Sequence, residues 1–324
     1  MMSPRLSIVI PFYNVEKYIA ECLDSVYNQD IPEEEYEVIC VNDASPDGSR
    51  DIVLEYQKKH TNLILVEHEV NRKLGAARNT GRRIARGKYL WNVDSDDMIA
   101  PNCLSKILDK CEKNDLDVLL FGFSRRLGNI NESRGINPWK NTDYVFNGLS
   151  FWREQVLNNM GEISPVWTQV YSRDFLDGND IWSPEINMGE DVPFTYKSIL
   201  FAGRMMCCND PYYVYRRNQA SLSASVRKMP TPPTLYENCF ICGRMVYGVI
   251  ASIPPPEKEV RESLLKASRY ILLEFHQYYP RFTRNEKRQF LHLCRIDALQ
   301  NMETFSILSR KQRIKHLRFL IIGR

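Results

Sequence analysis

The amino-acid sequence predicts an α/β fold, in which a mostly parallel central sheet is flanked by helices and followed by a helical C-terminal extension. Two observations lead to this prediction. Over the first 125 residues, short apolar runs typical of buried strands alternate with longer runs in which apolar residues recur at helical spacing. After a proline-rich break at 230–233 the pattern is helical, most clearly over 260–279 and 284–308.

The strands and helices of the N-terminal half can be placed one by one. The predicted strands are short and apolar, and they cover residues 6–10, 36–41, 62–66, 89–93 and 118–123. The helices predicted between them cover residues 15–27, 49–56 and 74–85. Pro101 is expected to begin a further helix, because proline is favoured at the first helical position. Residues 125–215 follow a less regular pattern.

Composition limits the classes of protein that the chain can represent. Its 324 residues are enough for one large core and a smaller appendage. The 43 basic and 40 acidic residues give a net charge of +3, which does not indicate a nucleic-acid-binding protein. The charge is unevenly distributed, since residues 281–324 carry 11 basic and 3 acidic side chains.

Cysteine usage and hydropathy indicate a cytoplasmic protein. Nine scattered cysteines, an odd number, are typical of reduced thiols. Cys239 and Cys242 form a C-x-x-C pair, so a zinc site is an alternative, but no second well-spaced pair supports it. The chain enters its first strand without a signal-peptide pattern, and its apolar runs are too short for a membrane span.

Two acidic clusters about a hundred residues apart carry the strongest functional signal. Asp94-Ser95-Asp96-Asp97 follows the fourth predicted strand, and Glu190-Asp191 precedes an apolar segment. Carboxylates this close repel one another unless a cation lies among them, and oxygen-only ligands suit Mg²⁺ or Mn²⁺. Such an ion commonly also binds phosphate, which predicts an enzyme that acts on a nucleotide-activated substrate.

Polar residues follow three of the predicted strands at the edge where open α/β sheets bind ligands. Pro11, Tyr13 and Asn14 follow the first strand, Asp43 follows the second, and Asp94 follows the fourth. We expect these three segments to converge on one site.

Several motifs resemble the inverting family-two glycosyltransferases that build bacterial polysaccharides and cell-surface glycans. In the N-terminal half they are SIVIPFYN (7–14), VNDAS (41–45), NRKLGAARNTG (71–81), ARGKY (85–89) and DSDD (94–97). In the second half they are Val166-Trp167, YSRDFL (171–176), GED (189–191) and YYVYR (212–216), which leads to SLS (221–223). The resemblance implies a GT-A fold and a nucleotide-sugar donor. It also implies a catalytic domain over 1–225, with a nucleotide-sugar half (1–125) and an acceptor half (126–225), followed by a helical region over 226–324.

The resemblance assigns the donor site to residues of the N-terminal half. They are Pro11, Tyr13, Asn14, Asp43, Asn71, Arg78, Asp94 and Ser95. Asp43 would accept a hydrogen bond from uracil N3–H, although an aspartate that shapes a turn is the alternative. The planar fork of Arg78 suits the oxygens of the donor diphosphate. The other basic side chains of this segment, those of Arg72, Lys73, Arg82, Arg83 and Arg86, are interpreted as a solvated helix face.

The resemblance also assigns the metal and the general base. Asp94 and Asp96 have the D-x-D spacing, which in an extended chain puts both side chains on one face. Asp96 would bind Mn²⁺ or Mg²⁺ directly, and Asp94 would contact ribose or a metal-bound water. Asp97 would orient the site, or cap a following helix. Asp191 would be the general base, supported by Glu190; two favourable charges at a helix start are the alternative.

One position departs from the family pattern. The family often carries a lysine two residues after the tryptophan, where this chain has Gln169, so any contact of that lysine with acceptor or phosphate is in doubt. The five histidines form no cluster and indicate no nucleophile pair.

The resemblance implies an enzyme, a metal-dependent inverting hexosyltransferase that moves a sugar from a nucleotide-sugar, a UDP-sugar in the first place, to a hydroxyl of a glycan or lipid-linked glycan. A catalytically silent nucleotide- or glycan-binding protein is the alternative from another class. A nucleotidyltransferase is disfavoured, because Pro11-Phe12-Tyr13-Asn14 stands where a glycine-rich loop is expected. The C-terminal segment 309–324 has six basic and no acidic residues among apolar ones, and predicts peripheral contact with an anionic membrane. Docking of its apolar residues on the protein is the alternative.

Overall fold

The structure, a computed structural model, describes most of the first 217 residues and short stretches beyond them. The described residues are 3–127, 130–132, 139–157, 165–186, 189–217, 241–242, 245–246, 248–249, 252–254, 257–264, 284–285 and 288. The chain divides into two compact units. One comprises residues 1–186 and 194–221, and the other comprises 187–193 and 222–324. Our division of the chain at residue 225 stays a prediction.

The described residues of the first unit contain a ten-stranded mixed sheet. Its strands are Leu6–Phe12 (β1), Tyr36–Asn42 (β2), Leu63–Glu67 (β3), Tyr89–Asn92 (β4), Met98–Ile99 (β5), Val118–Leu127 (β6), Ile130–Glu132 (β7), Val145–Phe146 (β8), Gln169–Ser172 (β9) and Met205–Arg216 (β10). The α-helices described in residues 1–217 are Ile19–Tyr27 (α1), Ser49–Lys59 (α2), Lys73–Ile84 (α3), Leu104–Lys113 (α4), Gly148–Phe151 (α5), Arg173–Gly178 (α6) and Asp191–Phe201 (α7). The first three residues of α7 belong to the second unit.

The sheet has a parallel half and a mixed half. Its strand order is β3-β2-β1-β4-β9-β6-β10-β5, with β7 on β6 and β8 on β10. The first four strands in this order are parallel. Strand β9 is antiparallel to both β4 and β6, and β10 is parallel to β6. Strands β1, β4, β6 and β10 therefore point the same way, and their carboxyl ends share one edge.

Helices cover both faces of the parallel half, which explains its uniform apolar strands. Every residue of β1, β2 and β4 is buried, as expected where a parallel sheet is covered on both sides. Helix α1 buries Ile19, Cys22, Leu23 and Val26 at the i, i+3, i+4 and i+7 spacing that the sequence shows. The predicted α/β fold of this region is thus confirmed.

Two helix starts differ from prediction. Residues 16–18 form a turn, and α1 begins at Ile19. Pro101 does not begin a helix: it lies in a turn with Asn102, whose φ is 53°, and α4 begins at Leu104. The left-handed conformation of Asn102 is incompatible with a continuous helix from Pro101.

The second unit is described over short stretches, which are mainly helical. The residues in helical conformation include 241–242, 245–246 and 258–264. Val246, Val260 and Leu264 are fully buried. The predicted helical character of the C-terminal extension is confirmed for these stretches, whereas most of 260–279 and 284–308, and all of 309–324, lie outside the described residues.

Candidate active site

The loops after β1 and β2 are tied together at the carboxyl edge of the sheet. The backbone N–H of Asn14 donates to Ser45 Oγ (2.8 Å), and that of Glu16 donates to Asp47 Oδ2 (2.8 Å). Asn14 has a φ of 56°, a left-handed conformation that asparagine tolerates well. Pro11 is buried, whereas Tyr13 is 48% exposed. The ring of Tyr13 is therefore available at the mouth of the site.

Asp43 is buried and hydrogen-bonded on both oxygens. Its Oδ1 accepts from the backbone N–H of Arg72 (2.8 Å) and lies 2.7 Å from His68 Nδ1. Its Oδ2 accepts from the backbone N–H of Lys73 (2.8 Å). Because a carboxylate oxygen has two acceptor positions, Oδ2 retains one for a further donor. The side chain thus holds the start of α3 rather than the turn at Ala44-Ser45, where Asn42 Oδ1 accepts from the backbone N–H of Ser45 (2.8 Å). It also keeps the acceptor that a uracil contact requires.

Asn71 and Gly75 shape the loop that leads into α3. Asn71 Oδ1 accepts from the backbone N–H of Lys73 (3.2 Å). No side chain fits at position 75, because a Cβ there would lie 2.1 Å from the carbonyl oxygen of Pro184. The backbone that approaches Gly75 closely is therefore that of Pro184.

Arg78 connects α3 to the acidic cluster. Its side chain is 4% exposed, and Nη2 donates to Asp94 Oδ1 (2.8 Å). A buried arginine is retained where it is paired, so Arg78 holds a fixed cation beside Asp94. Among the basic residues interpreted as a solvated face, Arg82 is an exception: it is buried, lies 3.9 Å from the Trp182 ring centroid and pairs with Asp177 (2.5 Å).

The acidic cluster contains carboxylates with different environments. Asp94 and Asp96 are partly exposed, whereas Ser95 and Asp97 are buried. Asp97 accepts from the Tyr213 hydroxyl (2.8 Å) and from the backbone N–H of Arg216 (2.7 Å). Burial, followed by the charges of Asp96 and Asp94, raises the pKa of Asp97 well above its usual range. Asp97 does not cap a helix, because β5 follows it directly. It orients the cluster instead.

A stack of aromatic rings lies beside this cluster. Trp167 stacks on Tyr213, with ring centroids 4.3 Å apart, and on Tyr215 at 5.7 Å. Phe123 meets Trp167 edge to face at 4.9 Å. Gln169, at the position where the family often has lysine, is fully buried, and its Nε2 donates to the Pro165 carbonyl (3.4 Å).

Glu190 and Asp191 belong to the second unit. Glu190 is buried, and Asp191 is the first residue of α7, where a carboxylate is favourable. The Cys242 thiol donates to the carbonyl of Gly189 (3.2 Å). Burial, with Asp191 and Glu190 nearby, raises the pKa of that thiol to about 12. A neutral thiol thus packs beneath the turn that presents the two carboxylates.

The described residues, which do not include Cys239, bear on three other features: metal-ligand groups, thiols and membrane-spanning helices. No three His, Cys, Asp or Glu side chains there are grouped as a preformed metal site. The seven cysteines described are buried free thiols. None of the described helices has the length and hydropathy needed to cross a membrane.

Sequence reasoning missed three residues of this site. His68 contacts Asp43, while Tyr213 and Arg216 hold Asp97. The patterning signal for His68 was weak, since a single histidine after a strand has many uses. Tyr213 and Arg216 lie within the YYVYR motif (212–216). Their contact with Asp97 depends on the pairing of distant strands, which the motif does not indicate.

A comparison with family models decides the identity of this fold and site. The glycosyl transferase family 2 model matches residues 7–175, more than half of the chain. The chain belongs to glycosyl transferase family 2. The predictions of this family and of a glycosyltransferase are therefore confirmed.

Bacterial members of the family are similar to this chain in sequence. EpsJ of Bacillus subtilis (strain 168), described as an uncharacterized glycosyltransferase, is 31% identical over 73% of this chain and 67% of its own. A poly(ribitol-phosphate) beta-glucosyltransferase of Bacillus spizizenii is 34% identical over 72% of this chain. TarS of Staphylococcus aureus, a poly(ribitol-phosphate) beta-N-acetylglucosaminyltransferase, is 32% identical over 72%. The matches span only 35% and 39% of these last two proteins.

Similar solved structures confirm the GT-A fold. Residues 1–349 of S. aureus TarS in complex with UDP-GlcNAc align with a TM-score of 0.75 and 25% identity, over 98% of this chain and 90% of that one. The mannosyltransferase PcManGT of Pyrobaculum calidifontis, in complex with GDP-Man and Mn²⁺, aligns with a TM-score of 0.55 at 17% identity, a likeness of fold.

Proposed function

We propose that this family 2 member transfers a sugar, with inversion, from a UDP-sugar to a hydroxyl of a bacterial cell-surface glycan. The observation that carries the proposal is the pairing of Arg78 with Asp94, at the sheet edge that also holds Asp43. A fixed cation beside carboxylates suits a diphosphate that arrives together with a metal ion. The similarity to TarS in complex with UDP-GlcNAc supports the choice of UDP.

Asp43 would select the uracil base. Uracil N3–H is a donor and would meet the acceptor position left on Asp43 Oδ2. Cytosine has an acceptor at the corresponding nitrogen, which would face the carboxylate unfavourably. Pro11 and Tyr13 would line the base, and Asn14 and Asn71 would approach the ribose and base from the two loops.

The acidic cluster fits a divalent cation by its chemistry. The charges of Asp94 and Asp96 both act on Asp97, so three carboxylates share one region. Asp97 is held by Tyr213 and Arg216, which leaves Asp96 and Asp94 as the oxygen ligands for Mn²⁺ or Mg²⁺. Mg²⁺ is commonly bound by one or two carboxylates together with phosphates and water, so no preformed group of three is required. When bound, the ion neutralises charge on the departing diphosphate.

Asp191 would act as the general base. It would take the proton of the acceptor hydroxyl as that oxygen attacks the anomeric carbon from the side opposite the diphosphate, which inverts the configuration. Glu190 would support Asp191 or contact acceptor hydroxyls. Arg78 would stay paired with anionic groups throughout, first with Asp94 and then also with the leaving diphosphate.

A donor panel tests this proposal. We expect UDP-sugars with Mn²⁺ to raise the melting temperature, and CDP-sugars to raise it much less, since a ligand stabilises by RT ln(1 + [L]/Kd). Slow Mn²⁺-dependent release of UDP from one UDP-sugar should accompany binding. Stabilisation without release under any condition would favour a silent binding protein, and equal stabilisation by CDP-sugars would contradict the role of Asp43.

A further inference from the structure

Three arginines lie at the carboxyl edge of the mixed half of the sheet, and one of them differs from the others. Arg125 and Arg126 lie near the end of β6, and Arg216 ends β10. Arg126 Nη1 and Arg216 Nη2 both reach Glu21 Oε2, at 3.3 and 2.9 Å. Within the part of the chain that the structure describes, Arg125 has no carboxylate partner.

One nitrogen of the Arg125 guanidinium is removed from water without a hydrogen-bond partner among the described residues. The residue is half-buried, and its Nε is shielded from solvent and makes no hydrogen bond to any described residue. Buried donors of this kind are rare in folded proteins, because leaving one unpaired costs free energy. An anion bound at the other guanidinium nitrogens would offset that cost by pairing the charge of Arg125.

Arg125 lies at the edge of a cluster of aromatic rings, through its contact with Phe123. Its guanidinium carbon lies 5.8 Å from the centroid of the Phe123 ring, which contacts both Trp167 and Tyr215. Tyr215 is the register partner of Arg125 across β10 and β6. Burial and the charges of Asp97, Asp96 and Asp94 raise the pKa of Tyr215, while Arg125 lowers it. The Tyr215 ring thus lies within electrostatic range of both the acidic cluster and Arg125.

This arrangement combines two binding features. Aromatic rings present flat apolar surfaces, and a few polar groups among such rings commonly fix the orientation of a ligand. A guanidinium binds phosphate or carboxylate oxygens with a planar fork of donors. The acidic cluster would repel an anion placed directly upon it, whereas Arg125 offers a cation to one side.

We propose that Arg125, with the rings of Trp167 and Tyr215, forms an acceptor subsite that binds an anionic group of the glycan. The group is a phosphate or a carboxylate within one or two units of the attacking hydroxyl. This inference rests on the proposed function, since it assigns the substrate class of the same site. The printed names of two relatives, which act on poly(ribitol phosphate), are consistent with a phosphate-bearing acceptor.

Equilibrium binding tests the subsite without requiring turnover. The full chain is titrated calorimetrically, at low and at high salt, with poly(ribitol phosphate), with a polyglucuronate oligosaccharide and with neutral dextran. We expect one anionic polymer to bind at least about tenfold more tightly than dextran. Arg125→Gln should weaken that binding by about tenfold or more, and Arg125→Lys should restore only part of it. Preference for the phosphate or for the carboxylate polymer identifies the source of the anion.

Arg126→Gln is the matched control. Arg126 is the neighbouring residue with the same charge, but it is paired with Glu21, and its variant should bind the anionic polymer within about twofold of wild type. An equal loss in both variants would overturn the proposal, as would equal binding of anionic and neutral polymers or the absence of binding. A tenfold loss of UDP affinity in Arg125→Gln would place Arg125 in the donor site instead. Failure of the wild type to release UDP from any UDP-sugar would refute the proposed function separately.

Discussion

The imidazole Nδ1 of His68 lies 2.7 Å from Asp43 Oδ1, and the two side chains are only 6% and 5% exposed. A carboxylate accepts hydrogen bonds and does not donate them, so His68 Nδ1 carries the hydrogen and donates to Asp43. The other ring nitrogen, Nε2, lies 2.9 Å from the Thr80 hydroxyl. The contacts of His68 with Thr80 and Asp43 fix the direction in which Asp43 Oδ2 faces. They thereby orient the acceptor proposed for uracil.

The first prediction concerns His68→Leu, which removes that donor from Asp43. We expect UDP to bind about tenfold or more weakly, because a hydrogen bond to a charged group contributes ~1.5–3 kcal/mol. Discrimination between UDP and CDP should fall in parallel. His60→Leu is the control, since His60 Nδ1 also lies 2.8 Å from a carboxylate, that of Glu33, at the opposite end of β2. Similar UDP affinity in the two variants would contradict the prediction.

The second prediction concerns the pH dependence of the joined loops. Burial opposes ionisation of Asp47, but hydrogen bonds from Ser45, Ser49 and the Glu16 backbone N–H outweigh it, so its pKa lies below its usual value of 3.8. A folded pKa below the unfolded one stabilises the fold above about pH 4, and that contribution is lost as the pH falls through the folded pKa.

Asp47→Asn should therefore lower the free energy of unfolding by about 1–2 kcal/mol at pH 7, because it weakens hydrogen bonds from Glu16, Ser45 and Ser49 to a charged group. The difference from wild type should shrink below about pH 4. Urea unfolding between pH 7 and about pH 2.5 measures both values. Asp51→Asn, at a side chain that is 83% exposed, should change neither. A constant difference across this range would show that Asp47 acts through shape rather than charge.

The third prediction is that Asp96→Ala abolishes metal-dependent chemistry without disturbing the fold. Arg216 Nε donates to the backbone carbonyl of Asp96, so truncating the side chain leaves that contact in place. We expect Mn²⁺-dependent release of UDP to fall by about 100-fold or more, and the effect of Mn²⁺ on UDP affinity to disappear. A variant that still releases UDP at a near wild-type rate with Mn²⁺ would refute the metal assignment.

The fourth prediction is that Asp191→Asn removes transfer while preserving affinity for the UDP-sugar. A base acts on the acceptor proton in the transition state, so kcat should fall by ~10²–10⁴-fold with little change in donor binding. Asp174→Asn is a matched control, since Asp174 lies in the first turn of α6 and tests the loss of a helix-terminal charge alone. Equal loss of donor affinity would place Asp191 in the donor site.

The fifth prediction concerns residues 309–324, which lie outside the described residues. If this segment binds an anionic membrane, the full chain should co-sediment with anionic but not neutral vesicles, and salt should weaken the association. Truncation after Leu308 should abolish binding and leave UDP release unchanged. Binding that survives truncation would refute a membrane role, and a truncated chain that fails to fold would show that the segment belongs to the core.

Local patterns predicted the parallel half of the sheet well. The strand predicted over 36–41 is Tyr36–Asn42, and the helix predicted over 74–85 is Lys73–Ile84. These elements are buried on well-defined faces, so their periodicity is strong. The residues predicted to converge after β1, β2 and β4 follow from the parallel arrangement alone.

The mixed half could not be predicted, because its pairing depends on distant residues. Strand β10 contains Pro211, and a proline in the sequence predicts that a strand ends. The structure accommodates Pro211 by a register shift opposite Gly122. Strand β9 has only four residues, yet it lies between β4 and β6. No local pattern specifies the insertion of β9 or the pairing of β10 with β6. The contacts of Tyr213 and Arg125 depend on these pairings and were therefore not predicted.

The position of β9 has a consequence for biosynthesis. During translation, β4 emerges about eighty residues before β9, so its outer edge has no neighbour until residues 169–172 are available. The hydrogen bonds of Asp97 can form only after Tyr213 and Arg216, 116 and 119 residues further along the chain, have been synthesised. Such distant pairings are slow to form, and an uncovered edge is prone to pair with other chains. A ribosome-bound fragment that ends between residues 100 and 165 should therefore depend on chaperones more than the finished chain does.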